Sequence, residues 1–387
     1  MNTRSWAPLL TLLTNSILFV TLTAAAQRTT PKTTAYEQTN LVSNVPRFAE
    51  NFDRRLVNPW GLALSSNKPF HVANNANGSF SSYDSTGAEE SLGGVIALAP
   101  GELPPSHPTG VVFNPTDLFA PHGSLASPFL FASADGTISG EYADSRGDIL
   151  QSTILVVDNS SRGAVYTGLA VLTPNCCAPF LAVANFHDRF IETYTSFFAP
   201  LGIPGAFIDP NLPSGYAPFN IQVVANQVFV TYTMGNSTGT APLTCSGNGI
   251  VDIYNLDGSF VRRFATRGPL NAPWGVAKAS AEFGVFSNDI LIGNFGDGTI
   301  NAFNPNTGQF VGQLRDGTGH LIVNAGLRGL AFGQGPTGDP NTLYFTAGLK
   351  GGRQGLFGAI SVATGKAMSF GQSQILPGNS LVVPCGN

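Results

Sequence analysis

From Trp60 onward the apolar and polar positions fall into short runs rather than into helical stripes. Leu62-Ala63-Leu64 is apolar, Ser65 to Lys68 is polar, and Phe70-His71-Val72-Ala73 is apolar again. Asn74-Asn75-Ala76-Asn77-Gly78 then breaks the pattern, Ser79 to Tyr83 alternates, and Asp84-Ser85-Thr86-Gly87 closes it. Runs this short, bounded by Gly, Asn and Asp, predict three strands joined by tight turns. The order recurs at Asp289-Ile290-Leu291-Ile292-Gly293, Asn294-Phe295-Gly296-Asp297-Gly298, Thr299 to Phe303 and Asn304-Pro305-Asn306-Thr307-Gly308.

The phrase that leads into the first strand also recurs. Asn58-Pro59-Trp60-Gly61-Leu62-Ala63 is echoed by His107-Pro108-Thr109-Gly110-Val111-Val112, Tyr166-Thr167-Gly168-Leu169-Ala170, Ala272-Pro273-Trp274-Gly275-Val276-Ala277 and Leu327-Arg328-Gly329-Leu330-Ala331. The glycines are spaced by 49, 58, 107 and 54 residues, and the double step holds a degenerate copy around Phe219-Asn220-Ile221-Gln222-Val223. Six copies of an all-β unit with this period predict a six-bladed β-propeller of four-stranded blades. Asn74, Ser133, Asn185 and Asn294 each precede an aromatic by nine residues (Tyr83, Tyr142, Tyr194, Phe303), and that aromatic is expected to fill the wedge between blades. Trp60 and Trp274 are expected to pack blade against blade near the entry of the inner strand. His71, inside an apolar strand, reads as a packed histidine.

A ring must be closed, or two strand edges stay unpaired. Thr39-Asn40-Leu41-Val42-Ser43 is predicted to supply the outer strand of the sixth blade, whose inner strands are Arg328 to Phe332, Thr342 to Thr346 and Leu356 to Val362. The tail from Ile375 to Asn387 is placed at the perimeter. Residues 39–387 are thus read as a single domain.

Composition fits this picture and narrows the partners. Charged residues make up 11% of the chain against 45 glycines and 27 prolines, which suits many turns and few long helices. A formal charge of -4 with no Lys/Arg cluster disfavours nucleic acid and anionic lipid. Residues 1–26 read as a secretory signal peptide: Arg4 precedes an apolar run from Leu9 through Leu22, and Ala24-Ala25-Ala26 offers small residues for cleavage before Gln27. A retained anchor is the competing reading, weakened because the run is short and broken by Thr14, Asn15 and Ser16. A secreted or periplasmic location follows, with no stable membrane insertion after cleavage and a monomeric protein. Residues 27–38 read as a flexible polar lead-in. In an exported chain Cys176, Cys177, Cys245 and Cys385 permit disulfides, with three pairings open. A bond from Cys176 or Cys177 to Cys245 would tie blade three to blade four, and Cys385 could pin the C-terminus.

The repeat Pro-x-Gly-Leu/Val-Ala, a strand ending in Ala-Asn or Gly-Asn, and a strand closing on Tyr/Phe-Asp/Asn-x-x-Gly resembles the NHL-type propeller repeat over residues 58–362. Thr39-Asn40-Leu41-Val42-Ser43, Leu56-Val57-Asn58-Pro59-Trp60-Gly61, Asn341-Thr342-Leu343-Tyr344-Phe345-Thr346-Ala347-Gly348 and Gly355-Leu356-Phe357-Gly358 look like an uncharacterised family of exported bacterial propellers, some of which carry a PEP-CTERM sorting tail. This chain ends at Val383-Pro384-Cys385-Gly386-Asn387 without an apolar anchor and basic cluster. The resemblance implies a fold and an export route, and no activity.

In such a ring, the loop leading into each innermost strand and the loop after each second strand emerge on one face, around the mouth of the central channel. Candidate binding residues there are Asn58, His107, Asn220 and Arg328 from the leading loops, with Asn74, Asn75, Asp135, Asn185, Asn294 and Asp297 from the others. His187 and Asp188 are candidates for a catalytic base. Asn74, Asn185 and Asn294 would stand at equivalent stations as oxygen ligands for Ca2+, by likeness to six-bladed lactonases and phosphotriesterases. Those enzymes usually present a Glu near the start of the first inner strand and a ligating Asp late in the chain, and neither is evident beside Trp60 or Arg328. The competing reading makes these Asn and Asp turn formers. His122 and His320 sit in loops without partner spacing. Ser124 and Ser133 lack a G-x-S-x-G elbow, and the run Gly348 to Gly355 lacks a phosphate-loop ending. Lys350 and Arg353 sit in that run, either a lid over the mouth or a solvated hairpin tip. With no catalytic set assembled, the sequence favours a binding scaffold for a protein, glycan or small molecule. A Ca2+-dependent hydrolase is the alternative.

Overall fold

Short apolar runs separated by turn-formers can bury themselves only by pairing, and the chain pairs each with the next in sequence. The computed structural model describes residues 35–121, 125–142 and 151–364, along with Met1. The leader, most of the lead-in, His122, Ser124 and the C-terminal tail with Cys385 lie outside the described residues. The strands belong to one unit, Thr33–Asn387.

The first two strands, β1 (Tyr36–Ser43) and β2 (Asn51–Phe52), precede the first blade, which is β3 (Pro59–Ser65), β4 (Lys68–Asn74), β5 (Ser79–Tyr83) and β6 (Glu89–Val95). The second blade is β7 (Pro108–Phe113), β8 (Phe129–Ser133), β9 (Thr137–Gly140) and β10 (Ile154–Asp158), and the third is β11 (Tyr166–Leu172), β12 (Phe180–Asn185) and β13 (Phe190–Thr195). The fourth runs through β14 (Tyr216–Val224), β15 (Gln227–Met234), β16 (Ile250–Tyr254) and β17 (Phe260–Thr266), and the fifth through β18 (Pro273–Lys278), β19 (Ile290–Asn294), β20 (Ile300–Phe303) and β21 (Phe310–Gln313). The sixth joins β22 (Leu327–Phe332), β23 (Leu343–Ala347) and β24 (Leu356–Val362) to β1. The fold is a six-bladed β-propeller.

The ring is closed as the sequence predicts. β1 lies antiparallel to β24, with Thr39 opposite Ala359 and Ser43 opposite Leu356. It reaches back to Tyr36, so residues 36–38 belong to the strand and not to the polar lead-in. Tyr36 explains the extension: its ring is buried against Phe283 and Phe286, and its hydroxyl donates to the Phe283 carbonyl at 3.1 Å.

Two blades depart from the expected four strands. The sixth has five, because β2 adds in parallel outside β1. The third has three among the described residues. Its outer edge is met by a returning loop, in which Leu201 N–H donates to Thr193 O and Thr195 N–H to Ala199 O. Pro200 and Pro204 cannot donate to a ladder, so this loop caps the edge without becoming a strand.

Apolar residues gather into one cluster between each pair of neighbouring blades, six in all, and a seventh at the axis. The aromatics nine residues after Asn74, Asn185 and Asn294 do fill these wedges. Tyr83 packs with Phe357 of the sixth blade, Tyr194 joins Ile138 and Val157 of the second, and Phe303 meets Phe264 of the fourth. His71 is the packed histidine expected, stacked on Phe129 at 3.7 Å with Nε2 2.9 Å from the buried Glu141 carboxylate.

The repeated glycine has a steric reason. A Cβ on Gly61 would stand 2.6 Å from Thr109 O, one on Gly275 would stand 2.3 Å from Arg328 O, and one on Gly329 would stand 2.6 Å from Leu62 Cβ. At these three positions the inner strands therefore pass so closely that only a residue without a side chain fits.

Candidate functional site

One backbone hydrogen bond recurs in all six blades and fixes the face on which the loops meet. The residue just after the second strand donates its N–H to the residue leading into the first: Asn75 to Asn58, Ala134 to His107, Phe186 to Val165, Gly235 to Gly215, Phe295 to Ala272 and Gly348 to Gly326, at 2.8–3.3 Å. The two loop sets are thereby stitched together in every blade, as the sequence implied.

Most of the asparagines and aspartates on this face are occupied within their own loops. Asn74, Asn185 and Asn294 do hold equivalent positions, each the last residue of its second strand and each fully buried. Asn74 Nδ2 donates to Ser79 and Ser81. Asn294 Oδ1 accepts from Asn271 N–H, while its Nδ2 donates to Pro269 O and Asp297. Asp297 accepts from Thr299 N–H and Oγ1, closing an Asx turn. Asp135 Oδ1 accepts from Thr137 Oγ1 in the second blade. Asn58 Nδ2 donates to Asn75 Oδ1, and Asn75 Nδ2 bridges to Pro108 O in the next blade. His107 Nδ1 lies 3.3 Å from Asn75 O at the surface.

Asn185 is held by something the sequence did not reveal. Its Nδ2 donates to Asp188 Oδ2 at 2.9 Å and to Glu192 Oε1 at 2.8 Å, and its Oδ1 accepts from Asp188 N–H. Glu192, buried, also accepts from Arg162 Nη2 at 2.8 Å, from the Tyr166 hydroxyl at 2.6 Å and from the Tyr194 hydroxyl. Burial first, and then the bond to Glu192, push the Tyr166 hydroxyl far above its ordinary pKa, so it stays a donor. Asp188 spends its other oxygen on His187 Nδ1 at 3.0 Å. The pair is half exposed and oriented by Asn185.

Asn220 is not at the mouth. It occupies the glycine position inside β14, 4% exposed, and its Nδ2 donates to Trp274 O at 2.9 Å, linking the fourth inner strand to the fifth. A Cβ on Gly168 would stand 2.1 Å from Asn220 Oδ1, so the asparagine fills the space between the third and fourth inner strands.

The tryptophans do pack blade against blade, and they do so at the axis, where Trp60 meets Arg328 of the sixth blade and Trp274 clusters with Phe219 of the fourth. Trp274 Nε1 donates to Thr167 O of the third blade at 3.0 Å, and Trp60 sets its ring edge-on to Phe219 of the opposite blade at 6.4 Å. With Phe186 and Phe295 they plug the channel with aromatic side chains. Trp60, Val165 and Phe295 are only partly buried, so this layer faces solvent on one side. The signal for two members was present in the sequence. Phe186 and Phe295 each follow the last Asn of a second strand, in Asn185-Phe186 and Asn294-Phe295.

Arg328, expected here, lies at the layer's centre. Its guanidinium carbon sits 3.5 Å from the Phe295 ring centroid and 4.2 Å from that of Trp60. It is 5% exposed, and among the described residues Nη1 reaches only Gly326 O and Leu327 O, at 3.3 and 3.4 Å. Nε is buried without a partner, as is Trp60 Nε1. Burial pushes this guanidinium well below its usual pKa.

The glycine-rich loop folds down onto this face: Lys350 takes a left-handed conformation at φ 49°, and a Cβ on Gly348 would stand 2.0 Å from Asn58 Oδ1. Cys176 and Cys177 are exposed free thiols, so neither bridges to Cys245. A rim pocket of about 370 Å³ near β2 and β6 includes Asp53, Arg54, Tyr83 and Glu89. There Tyr83 and Arg55 bond Asp53, and Arg55 also bonds Glu89.

No family model matches the chain. The chain is 34% identical over 335 residues to "Uncharacterized protein R648" of Acanthamoeba polyphaga mimivirus, covering 84% of this chain and 80% of the relative. It is 32% identical over 328 residues to "Uncharacterized protein L690" of the same virus, covering 83% and 84%. Among solved structures, a glucose dehydrogenase superposes with a TM-score of 0.50 at 11% identity, over 84% of this chain and all of that one, a likeness of fold alone. With six stitched blades, an N-terminal closing strand and this degree of identity, the chain belongs to the family of uncharacterised proteins that includes these two mimivirus proteins.

Proposed function

We infer that the protein is an exported propeller that binds a ligand on the face where the leading loops and the loops after the second strands meet. The observation that carries this reading is the axial layer, in which partly exposed Trp60 and Phe295 hold a cation that has no ion pair among the described residues, with partly exposed Val165 in the same layer. Apolar rings with a few convergent donors are what a binding surface presents. Export to the periplasm or the medium rests on the leader-like residues 1–26, and a monomer is expected.

The alternative, a Ca2+-dependent lactonase- or phosphotriesterase-like hydrolase, has less to stand on. A hard cation takes six to eight oxygens, yet the Asn185 and Asn294 oxygens are turned to backbone N–H groups. Among the described residues no three His, Cys, Asp or Glu converge on one point. Of the three asparagine oxygens, that of Asn74 has no partner among the described residues.

Calorimetric titration of the mature chain with Ca2+ separates the two. Binding without metal catalysis predicts no saturable heat and no turnover of a lactone. Saturable heat abolished by Asn185→Ala, with lactone turnover, would overturn the binding reading.

A further inference from the structure

Arg328 differs from the arginines of this fold that meet a carboxylate, and it is far more buried than Arg262, whose Nη2 donates to Pro305 O and whose guanidinium lies over Phe264. Arg162 is paired with Glu192 at 2.8 Å, Arg55 with Asp53 and Glu89, and Arg263 with Asp209 and Asp252. Arg328 is more deeply buried than any of these and forms no ion pair among the described residues. Its two hydrogen bonds are long and both come from Nη1, which leaves the Nε edge of the guanidinium unused. A desolvated cation without a counter-charge is costly, and aromatic faces recover only part of that cost. A structural role would be served as well by an apolar side chain of similar length, without the charge.

The free edge has a chemical preference. The guanidinium fork matches the spacing of two carboxylate oxygens, and a planar cation held between two rings is already oriented for that bidentate contact. The rings that hold it, Trp60 and Phe295, are themselves partly exposed beside Val165, which suits a flat apolar body attached to the acid. The unpaired Trp60 Nε1 adds a second donor in the same layer.

We propose that Arg328 is the anchor of a carboxylate-binding site, taking a ligand whose carboxylate bonds the guanidinium while its apolar body lies against Trp60 and Phe295. This deepens the binding reading above and rests on it.

Benzoate and its neutral isostere benzamide are suitable probes, compared at matched ionic strength by scanning calorimetry on wild type, Arg328→Met and Arg328→Lys. At a hundredfold excess over Kd, benzoate is expected to raise the wild-type Tm by roughly 5 °C, whereas benzamide leaves it unchanged. Arg328→Met is expected to lose this response while melting no lower than wild type without ligand. Arg328→Lys keeps the charge but not the fork, and is expected to fold and to bind benzoate at least tenfold more weakly. A marked fall in the Tm of both variants without ligand would make the guanidinium structural and overturn the assignment. Equal stabilisation of wild type and Arg328→Met by both probes would overturn the carboxylate anchor and leave the binding face standing. Silence of both probes would overturn the anchor as well, and saturable Ca2+ heat with lactone turnover would remove the binding reading beneath it.

Discussion

At the scale of single residues, burial decides which polar groups are structural and which are costly. Asp252 in β16 is fully buried; Arg263 Nε reaches Oδ1 at 3.3 Å, but that guanidinium is also bonded to Asp209, and Asp252 Oδ2 has no partner. Burial therefore wins, and the carboxyl is pushed up from 3.8 to about 7. The folded protein holds this proton more tightly than the unfolded chain, so the stability linked to it is fully present below about pH 4 and is lost as pH rises through about 7. Asp252→Asn should accordingly stabilise the fold at pH 8 by up to roughly 4 kcal/mol, with little effect at pH 4. Urea unfolding at the two pH values checks this, and an effect of equal size at both would refute it. The sequence placed Asn74, Asn185 and Asn294 at the ends of second strands and Asp135 and Asp297 in the loops after them, but could not say where their side chains turn, because Asx turns and ligand sites draw on the same residues. Glu192 was invisible for another reason: it is joined to Arg162, Tyr166, Asn185 and Tyr194, whose positions in the sequence carry no regular spacing.

Among elements, the inner strands were the most legible because one steric demand recurs in each. Five copies answer it with glycine, and the fourth with Asn220, which turns the same gap into a hydrogen bond to Trp274 O. Gly61→Ala is expected to push the first and second inner strands apart, since the added carbon would stand 2.6 Å from Thr109 O and Val111 N. Both contacts are backbone and cannot swing aside, so a loss of about 3 kcal/mol or more is expected. Denaturant unfolding measures it, and a variant as stable as wild type would show that the strands do not approach so closely. The outer strands were less legible. Nothing in the residue pattern separates a returning loop such as 196–201 from a fourth strand, apart from Pro200. Tyr36 joins β1 through Phe283 and Phe286, the former 247 residues further along the chain. The contacts of Trp274 with Thr167 O and of Trp60 with Phe219 were not legible for the same reason, since contacts across an axis exist only once the ring has closed.

For the whole molecule, the site depends on closure. Arg328 comes from the sixth blade, Trp60 from the first and Phe295 from the fifth, so the layer exists only while the first and last blades are held together. That junction rests on β1 against β24, on the apolar cluster of Leu41, Val42, Leu62, Phe70 and Phe357, and on Thr346 Oγ1 donating to Trp60 O at 2.5 Å. Hydrogen exchange of the native protein, followed at residues 36–43 and 356–362, tests this most directly. A closed ring predicts that both strands exchange only with global unfolding, at the same free energy as β23. Exchange of residues 36–43 near the rate of an open chain, with 356–362 still protected, would contradict the ring and dismantle the site built on it.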